Sequence, residues 1–296
     1  MKAFEYLEPK TIEDACGLLK KYGKECKVIA GGSDLLVRIK DRLLSPSYLM
    51  SIHSIPDLSH IKYDSFTGIA IGPLVSHSDI IQSPIIHQHC PLLIQSCSSI
   101  GGVQVRNLGT LGGNICNASP ASDASIALTA LEVTLEVTGC QGKRTIPIEK
   151  FFLGPGATAL QGDEIMTEIR IKKQGKNTKG IFLKLGIKKA MQIGIVTVAV
   201  DLNMGPHPHK VKEVRIALGS VAPIPVRALK AEETLQGNPL NEEFIKKASE
   251  DAILNISPIT DIRGTAEYRR EMVKVLVRRA LRQIKNHGHK EGGFGS

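Results

Sequence analysis

The feature that most restricts the fold of this chain is a glycine-rich run in its first half. Five glycines occupy the thirteen positions from Gly101 to Gly113, and small and polar residues follow as far as Asp123. Glycine loses more backbone entropy on folding than any other residue, and core packing alone does not offset that loss. Such a run favours a backbone that approaches a flat or phosphorylated ligand, with Asp123 placed for a polar contact. An elaborate loop packed against itself is the alternative.

A second glycine turn lies nearer the N-terminus. Cys26 to Ala30 predicts a short buried strand, and Leu35 to about Arg42 predicts a helix, with Gly31-Gly32-Ser33-Asp34 between them. At such a junction, outward N–H groups and the start of a helix can bind phosphate oxygens. The turn is neither a G-x-G-x-x-G fingerprint nor a lysine-containing phosphate loop. Taken alone, it is as consistent with a structural turn that binds no ligand.

The periodicity of the chain predicts an α+β protein in two parts. Alternation at residues 133–138 and a hairpin signal at 61–71 predict antiparallel strands, and a helix is expected at 78–86. Beyond a polar, basic stretch at 172–179, two strand signals precede a series of helices. We therefore predict a domain of residues 1–175 with subdomains of about 1–55 and 56–175, a C-terminal domain of 176–290, and a mobile tail of 291–296.

The net charge of +9 is concentrated near the C-terminus. Met272, Leu276, Ala280 and Ile284 form the apolar stripe of a helix, and seven basic residues from Arg269 to Lys285 are expected mainly on its other faces. A solvated helix face is the first interpretation, and a surface for an acidic partner subunit is the second. Nucleic-acid binding is disfavoured, because aromatic residues make up only 4% and no recognition motif accompanies the charge.

Cysteines and hydropathy bound the remaining classes of protein. The six cysteines form no C-x-x-C pair, so neither a metal site nor an iron–sulfur cluster is predicted, and reduced thiols are expected. The longest apolar-rich run, residues 193–202, is about half of a membrane span. The first residues lack the apolar core of a signal peptide. These features predict a cytoplasmic protein with no membrane span.

The nine histidines suggest no catalytic grouping. His53, His60 and His77 are spaced singly, and the others form H-x-H pairs at 87/89, 207/209 and 287/289. We interpret the histidines of these pairs as ordinary surface residues.

Taken together, the two glycine runs resemble the paired FAD motifs of molybdenum hydroxylase flavoprotein subunits. These belong to the xanthine dehydrogenase, carbon monoxide dehydrogenase and nicotinate dehydrogenase family. In that family the first turn reads roughly A-G-G-T/H-D/S-L-L, and the second reads I-G-x-x-Q-I-R-N-x-G-T-x-G-G-N with P-x-S-D downstream. This chain is similar at Ala30–Leu36, Ile100–Asn114 and Pro120–Asp123. Further family-like stretches are 151–156, 163–166, 182–184 and 217–227.

The resemblance implies the two-part FAD-binding fold of the vanillyl-alcohol-oxidase type. A small C-terminal α+β domain follows, with helices on one face of an antiparallel sheet. It also implies non-covalent FAD, with N–H groups of both turns converging on the diphosphate and Asp123 near the flavin, ribityl or adenosine part. Met166 and Lys184 match more loosely. The implied cofactor-binding residues are Val28, Ile29, Ala30, Gly31, Gly32, Ser33, Asp34, Leu35, Leu36, Ile100, Gly101, Thr110, Leu111, Gly112, Gly113, Asn114, Asp123, Met166 and Lys184.

The sequence departs from the family pattern at two places. Ser33 stands where relatives often carry threonine or histidine. The stretch Lys188–Ile193 resembles R-x-A-M-D-I, with lysine for arginine and Gln192 for the acid. Tuning of the flavin by a carboxylate at that position is therefore not expected. A cysteine-bearing insertion is also lacking, so the extra iron–sulfur cluster of the benzoyl-CoA-reducing branch is not expected.

By this resemblance, the chain is an FAD-carrying electron-transfer subunit without a catalytic general base of its own. It would take electrons from [2Fe–2S] clusters of a small subunit, fed by a molybdopterin subunit that hydroxylates the substrate, and pass them to NAD(P)+ or another acceptor. The substrate implied is an N-heterocycle, a purine or a nicotinate-like acid. The alternatives are a stand-alone FAD oxidoreductase, for which aromatic residues are few, and a flavin-free scaffold, which the intact glycine turns disfavour.

Overall fold

The chain begins with a small parallel sheet, in a computed structural model that describes residues 2–188, 191–205 and 210–290. Its elements are β1 (Glu5–Leu7), α1 (Ile12–Tyr22), β2 (Cys26–Ile29), α2 (Leu35–Lys40) and β3 (Tyr48–Ser51). The strand order is β1-β3-β2. The Thr11 hydroxyl caps α1 by accepting from the Asp14 N–H at 3.0 Å, and Gly23 ends the helix at φ 51°. The expected tail at 291–296 lies outside the described residues.

A five-stranded antiparallel sheet and six short helices follow. The elements are β4 (Ile61–Asp64), β5 (Gly68–Ile71), α3 (His77–Gln82), α4 (Pro84–His89), α5 (Pro91–Ser98), α6 (Val103–Leu108), α7 (Leu111–Cys116), α8 (Asp123–Ala130), β6 (Thr134–Gly139), β7 (Gly142–Pro147), β8 (Phe152–Gly154), β9 (Ala157–Thr158) and β10 (Ile165–Lys172). The sheet order is β4-β5-β10-β6-β7, and β8 pairs with β9 separately. The hairpin signal is confirmed, because Ile61 pairs with Ile71.

The single helix predicted at residues 78–86 is wrong. The chain forms α3 and α4 instead, with a break at Ser83. Pro84 has no N–H to donate within a helix, so it is tolerated only in the first turn of a new one. The Ser83 hydroxyl caps that turn by accepting from the Ile86 N–H at 3.4 Å.

The C-terminal domain is a four-stranded antiparallel sheet with three helices. Its elements are β11 (Thr178–Leu185), β12 (Val196–Asn203), β13 (Glu213–Gly219), β14 (Val226–Arg227), α9 (Leu229–Leu235), α10 (Glu242–Asp251) and α11 (Ala266–Lys290). The strands follow one another in chain order, and α9, α10 and α11 share a core with one face of the sheet. The predicted fold class is confirmed. None of the helices in the described part of the chain is long and apolar enough to cross a membrane.

Helix α8 lies between the two larger sheets. All eight of its residues are buried, and it packs against β12 and β13. Ala199 and Ala217 of the C-terminal sheet join its apolar core. A Cβ atom on Gly219 would lie 1.9 Å from Ile126 Cδ1, so the contact requires glycine. Because helices cover both faces of β12, residues Val196–Leu202 are all buried, including the polar Thr197 and Asp201, and the strand shows no alternation of buried and exposed residues.

The stripe predicted on the last helix is confirmed, but one of its charges lies elsewhere than expected. Leu276, Ala280 and Ile284 are buried against the sheet. Arg269 was expected among the solvated charges, yet only 1% of it is exposed, and it donates to Asp261 Oδ1 at 2.7 Å. A buried guanidinium needs such an acceptor, because unpaired charge is costly in the interior.

A second charged group, Asp201, is buried on β12 with 4% of its surface exposed. Its nearest cation is Arg215, whose Nη1 lies 3.9 Å from Oδ2. Burial raises the pKa of Asp201 to about 7, against the attraction of Arg215 and Arg227, while Glu132 and Glu213 raise it further. The carboxyl group is therefore bound to a proton in the folded chain at pH values where the unfolded chain has lost it.

The Asp201→Asn variant should become more stable relative to wild type as the pH rises. Since the folded-state pKa is raised, the contribution of Asp201 is complete below its ordinary pKa and is lost as the pH rises through about 7. The gain over wild type should grow by on the order of 2 kcal/mol between about pH 5 and about pH 8, measured by urea unfolding. Glu213→Gln, which contacts the same arginine from an exposed position, should change little. An equal gain at both pH values would contradict the prediction.

Candidate functional site

The two glycine turns touch each other. A Cβ atom on Gly31 would lie 1.7 Å from the Leu108 carbonyl oxygen and 3.1 Å from Gly109 Cα. No side chain fits at that separation, so the backbones meet only because the residue is glycine. The first turn therefore lies directly against the link between α6 and α7, so the two glycine runs are neighbours in the fold.

A neighbouring segment, residues 73–77, fixes the second turn. Its carbonyls accept from the N–H groups of α7: Gly112 donates to Pro73 at 2.9 Å, and Leu111 donates to Val75 at 2.9 Å. The Gly113 N–H donates to the Thr110 hydroxyl at 3.1 Å. These N–H groups are thus already used, whereas the Thr110 N–H has no acceptor among the described residues. For the second turn, a diphosphate could therefore meet the Thr110 N–H and side chains, but not the bonded N–H groups of Leu111, Gly112 and Gly113.

The first turn keeps its backbone donors. Within the described residues, the N–H groups of Gly32 and Ser33 have no hydrogen-bond acceptor. Gly32 has φ 69°, a conformation that favours glycine. Across the cleft, Asn114 Oδ1 accepts from the Ser122 hydroxyl at 2.5 Å, so the amide nitrogen is left as a donor for the cleft. An anion between the turns would meet N–H groups on one side and an amide on the other.

These elements line one cleft of about 330 Å³, a size within the range of roughly 300–1,000 Å³ that ligand sites have. The predicted residues that line it are Val28, Ala30, Gly31, Gly32, Ser33, Asp34, Leu35, Ile100, Thr110, Gly112, Gly113, Asn114 and Met166. The predicted residues outside its lining are Ile29, Leu36, Gly101, Leu111, Asp123 and Lys184. Leu111 belongs to the core beneath the turn.

Asp123 and Lys184 form an ion pair between the two domains. Lys184 Nζ lies 2.6 Å from Asp123 Oδ2 and also donates to the Ser99 carbonyl at 3.1 Å. Burial raises the pKa of Asp123, although Lys184 acts in the opposite direction. The other oxygen, Oδ1, is buried with no hydrogen-bond partner among the described residues. The pair therefore joins the C-terminal sheet to the start of α8.

Arg106 holds the turn at Gly101, which has φ 43°. Its Nη1 donates to the carbonyls of Ile100 and Gly101 at 2.9 and 3.2 Å. Because the Arg106 guanidinium bonds both carbonyls, it holds the backbone of Ile100, which lines the cleft, in place. The motif quoted for the family contains this arginine, but its role was not predicted.

Sequence reasoning missed several residues that line the cleft. Four of them lie within the glycine-rich run or its continuation, and the others come from separate segments: Val105, Gly109, Cys116 and Asn117, and Arg38, Ile52, Pro73, His77, Leu160, Glu164 and Ile165. Glu164 is tied to Arg144 by two hydrogen bonds of 2.6 and 2.8 Å, and Arg144 holds the pKa of that carboxyl below its usual range. Residues 163–166 resemble the family sequence, but no local sequence pattern predicts this ion pair.

The singly spaced histidines and the H-x-H pairs lie in different environments. His77 is 2% exposed and lines the cleft, and the His89 ring stacks on Tyr63 with centroids 3.7 Å apart. His60 is half-buried and bonded to Glu168 Oε2 at 3.2 Å. Residues 207 and 209 lie outside the described residues, as do the side chains of 287 and 289. A buried environment made by distant segments leaves no trace in the spacing of these residues.

The departures from the family pattern also have a structural role. Gln192 Oε1 accepts from the Lys188 N–H. A Cβ atom on Gly186 would lie 2.1 Å from the Gln192 amide carbon, so this side chain folds over glycine. Ser33 Oγ would lie 3.4 Å from a Cβ on Gly109, at the contact between the turns.

The cleft has the properties of a dinucleotide site. Its glycines leave space that a Cβ atom would fill, and among the described residues the N–H groups of its first turn and a buried ring nitrogen of His77 lack partners. An unpartnered buried polar atom costs about 1–3 kcal/mol, which a bound ligand can relieve. The residues present therefore fit a cofactor with a diphosphate.

Two family models cover the chain. Residues 2–173 match the FAD binding domain in molybdopterin dehydrogenase, and residues 182–284 match the CO dehydrogenase flavoprotein C-terminal domain. The chain belongs to this family of FAD-carrying subunits of molybdenum-containing dehydrogenases, and it is an oxidoreductase subunit with FAD as its cofactor.

Relatives match along nearly their whole length. The chain is 32% identical to the glyceraldehyde dehydrogenase medium chain of Sulfolobus acidocaldarius, covering 95% of this chain and 98% of that one. It is 34% identical to the nicotine 6-hydroxylase medium subunit of Paenarthrobacter nicotinovorans, covering 95% and 97%. The structure of carbon monoxide dehydrogenase from Hydrogenophaga pseudoflava contains a similar chain, with a TM-score of 0.91, 36% identity and coverage of 95% and 96%.

Substituting Gly31 by alanine should remove most of the bound flavin. The added methyl group would meet the Leu108 carbonyl, which is backbone and cannot rotate away, so the turns must separate. We expect a loss of about 3 kcal/mol of stability and flavin content reduced about tenfold, measured from the visible spectrum of purified protein. The matched control is Gly17→Ala on α1, where nothing lies within 4 Å. It should keep its flavin, and equal flavin content in both variants would contradict the prediction.

Proposed function

We propose that this chain is the electron-transfer subunit of a molybdopterin hydroxylase complex. It would dock a small subunit with [2Fe–2S] clusters and a large subunit with the molybdopterin. The observation that carries the proposal is the cleft at the contact between the two glycine turns, in a chain that matches medium subunits end to end. When bound, FAD supplies a redox centre that takes electrons from the clusters and delivers them to NAD(P)+ or another acceptor.

The chain's own residues would bind and orient the cofactor. The N–H groups of Gly32 and Ser33 and the Asn114 amide donate to the diphosphate, a role for which their free hydrogens suit them. Asp123 and Lys184 keep the C-terminal sheet against the cleft. Gln192, amide rather than carboxylate, adds no negative charge from its turn. None of these roles needs a proton transfer by this chain, so we assign it no catalytic acid or base.

The remaining predicted site residues keep their roles as proposals. We propose that Leu36 and Ile29 support the first turn, because their side chains lie within 3.1 Å of a Cβ placed on Gly32. Gly101 and Met166 would border the cofactor, and Leu111 would act from the core. The domain limits near residues 55 and 175 also remain predictions.

The substrate class is proposed from the names of the relatives, and the location from the cysteines. A relative named nicotine 6-hydroxylase supports an N-heterocycle, such as a purine or a nicotinate-like acid, whereas the relative named for glyceraldehyde favours an aldehyde. The substrate would be selected by another polypeptide of the complex. We also propose that the chain works in the cytoplasm, because its six cysteines are unpaired, as in reducing compartments.

A rim of exposed apolar side chains beside the cleft supports a partner subunit there. Leu36 (43% exposed), Val103 (59%), Leu108 (62%) and Met191 (72%) surround the two turns. Two of them lie beside glycines of the two runs, because Met191 is 3.6 Å from a Cβ on Gly102 and Leu36 is 3.0 Å from one on Gly32. Exposed apolar groups beside a binding cleft are typical of protein interfaces. We therefore expect this rim to contact the subunit that delivers electrons.

Rapid mixing tests the acceptor. The complete complex is reduced by its substrate, and flavin reoxidation is followed after addition of NAD+, NADP+, a quinone or oxygen. We expect a nicotinamide nucleotide to reoxidise the flavin at least tenfold faster than oxygen. Reoxidation by none of the nucleotides would reject NAD(P)+ as acceptor. Oxidation of an organic substrate by the chain alone would instead favour the stand-alone oxidoreductase, and full complex activity without flavin would favour the scaffold.

Val103→Glu tests the partner rim. The charge is added to an exposed side chain, so the fold and flavin content should persist, while a buried interface charge without a partner weakens association. We expect copurification with the iron–sulfur subunit to fall about tenfold, which corresponds to about 1.4 kcal/mol. Leu254→Glu, equally exposed in the C-terminal domain, is the matched control. Unchanged copurification of the Val103 variant would rule out the rim.

A further inference from the structure

His77 occupies a position that neither the glycine motifs nor the family resemblance single out. It is the first residue of α3 and is held there by a capping box between Ser76 and Asp79. Its N–H donates to the Gly109 carbonyl at 3.0 Å. The residue is therefore part of the segment that fixes the second turn, and its backbone cannot move independently of the cleft.

The ring of His77 lies where the two turns meet. A Cβ atom on Gly109 would be 3.2 Å from His77 Cδ2 and 3.4 Å from Ser33 Oγ. The imidazole and the serine hydroxyl of the first turn therefore pack against the same glycine. The ring lines the cleft, with only 2% of the residue exposed to solvent. A dinucleotide bound along both turns in the cleft would therefore lie beside this ring.

The hydrogen bonding of the ring is incomplete. Its Nδ1 is buried with no partner among the described residues. His60 shows the usual arrangement of a structural histidine, with Nδ1 bonded to the Asp57 carbonyl at 2.8 Å and Nε2 to Glu168 at 3.2 Å. Buried polar atoms are normally satisfied. A histidine kept for packing alone would not need a nitrogen that the fold leaves unbonded.

The ring is also neutral. Burial, together with the positive charge of Arg106, lowers the pKa of His77 to about 4. A neutral imidazole carries one N–H donor and one acceptor nitrogen, and it adds no positive charge to the cleft. It can therefore bond to a ribityl hydroxyl or a flavin ring atom as readily as to a phosphate.

We propose that His77 is a cofactor-contacting residue, whose unbonded ring nitrogen takes its hydrogen-bond partner from FAD bound in the cleft that the two turns line. It fixes the position of the dinucleotide beside the contact between the turns. The inference rests on FAD binding by this chain, and it adds a polar contact from a segment that contains no glycine motif.

The test is a set of variants of the full chain, freed of flavin and titrated with FAD while flavin fluorescence is measured. Asparagine places an amide atom near the position of Nδ1, whereas phenylalanine and leucine keep bulk without any polar atom. We expect His77→Phe and His77→Leu to raise the Kd for FAD about tenfold, as for loss of one hydrogen bond. His77→Asn should remain within about threefold of wild type. His60→Asn, outside the cleft lining, is the matched control and should bind FAD as wild type does.

Thermal unfolding of the flavin-free variants separates binding from packing. The phenylalanine or leucine variant should be at least as stable as wild type, because it removes an unsatisfied nitrogen. The inference is overturned if both apolar variants bind FAD as tightly as wild type. It is also overturned if asparagine weakens FAD binding as much as they do, with all three variants equally destabilised. Failure of the unsubstituted chain to bind FAD would be distinct, because it would overturn the proposed function itself.

Discussion

The contact between Gly31 and the Leu108 carbonyl is the constraint on which the rest of the site depends. A strand-to-helix turn of the small parallel sheet and a helix-to-helix link of the second subdomain meet with no side chain between them. Because both partners are backbone, the contact tolerates no Cβ atom and almost no displacement. The cleft is thereby defined by main chain, and its position does not depend on the rotamers of side chains.

The polar groups around this contact are divided between the turns. Among the described residues, the Gly32 and Ser33 N–H groups of the first turn have no acceptor, whereas the N–H groups of Leu111 to Asn114 in the second are bonded to residues 73–77 or to Thr110. The second turn is thus held by its own hydrogen bonds, and the first has backbone donors available for a ligand. The orientation of the Asn114 amide is set by Ser122, so even the side-chain donor of the rigid turn is fixed before a ligand arrives.

Sequence predicted the turns well, because glycine spacing reports local backbone requirements. It also predicted the strands with clear alternation, such as β6, and the buried stripe of α11. It missed the break at Pro84 within one apolar pattern, although the proline was visible. It could not find His77 or Arg269, because their burial depends on segments that lie far away in the chain. The engagement of the α7 N–H groups by Pro73 and Val75 was equally hidden, since long-range pairing is not encoded in spacing.

Helix α8 serves both sheets at once. Its residues pack on the antiparallel sheet of the second subdomain and, through Ile126, on Gly219 of the C-terminal sheet. Arg227 of the C-terminal sheet also joins the two domains, because its Nη1 lies 3.0 Å from Glu132 Oε1 and 2.7 Å from Glu149 Oε1, both in the preceding domain. Neither sheet can lose this helix without exposing apolar surface to water. The two larger parts of the chain should therefore unfold in one cooperative transition. A fragment that ends before β11 would expose the apolar face of α8 to water and should aggregate.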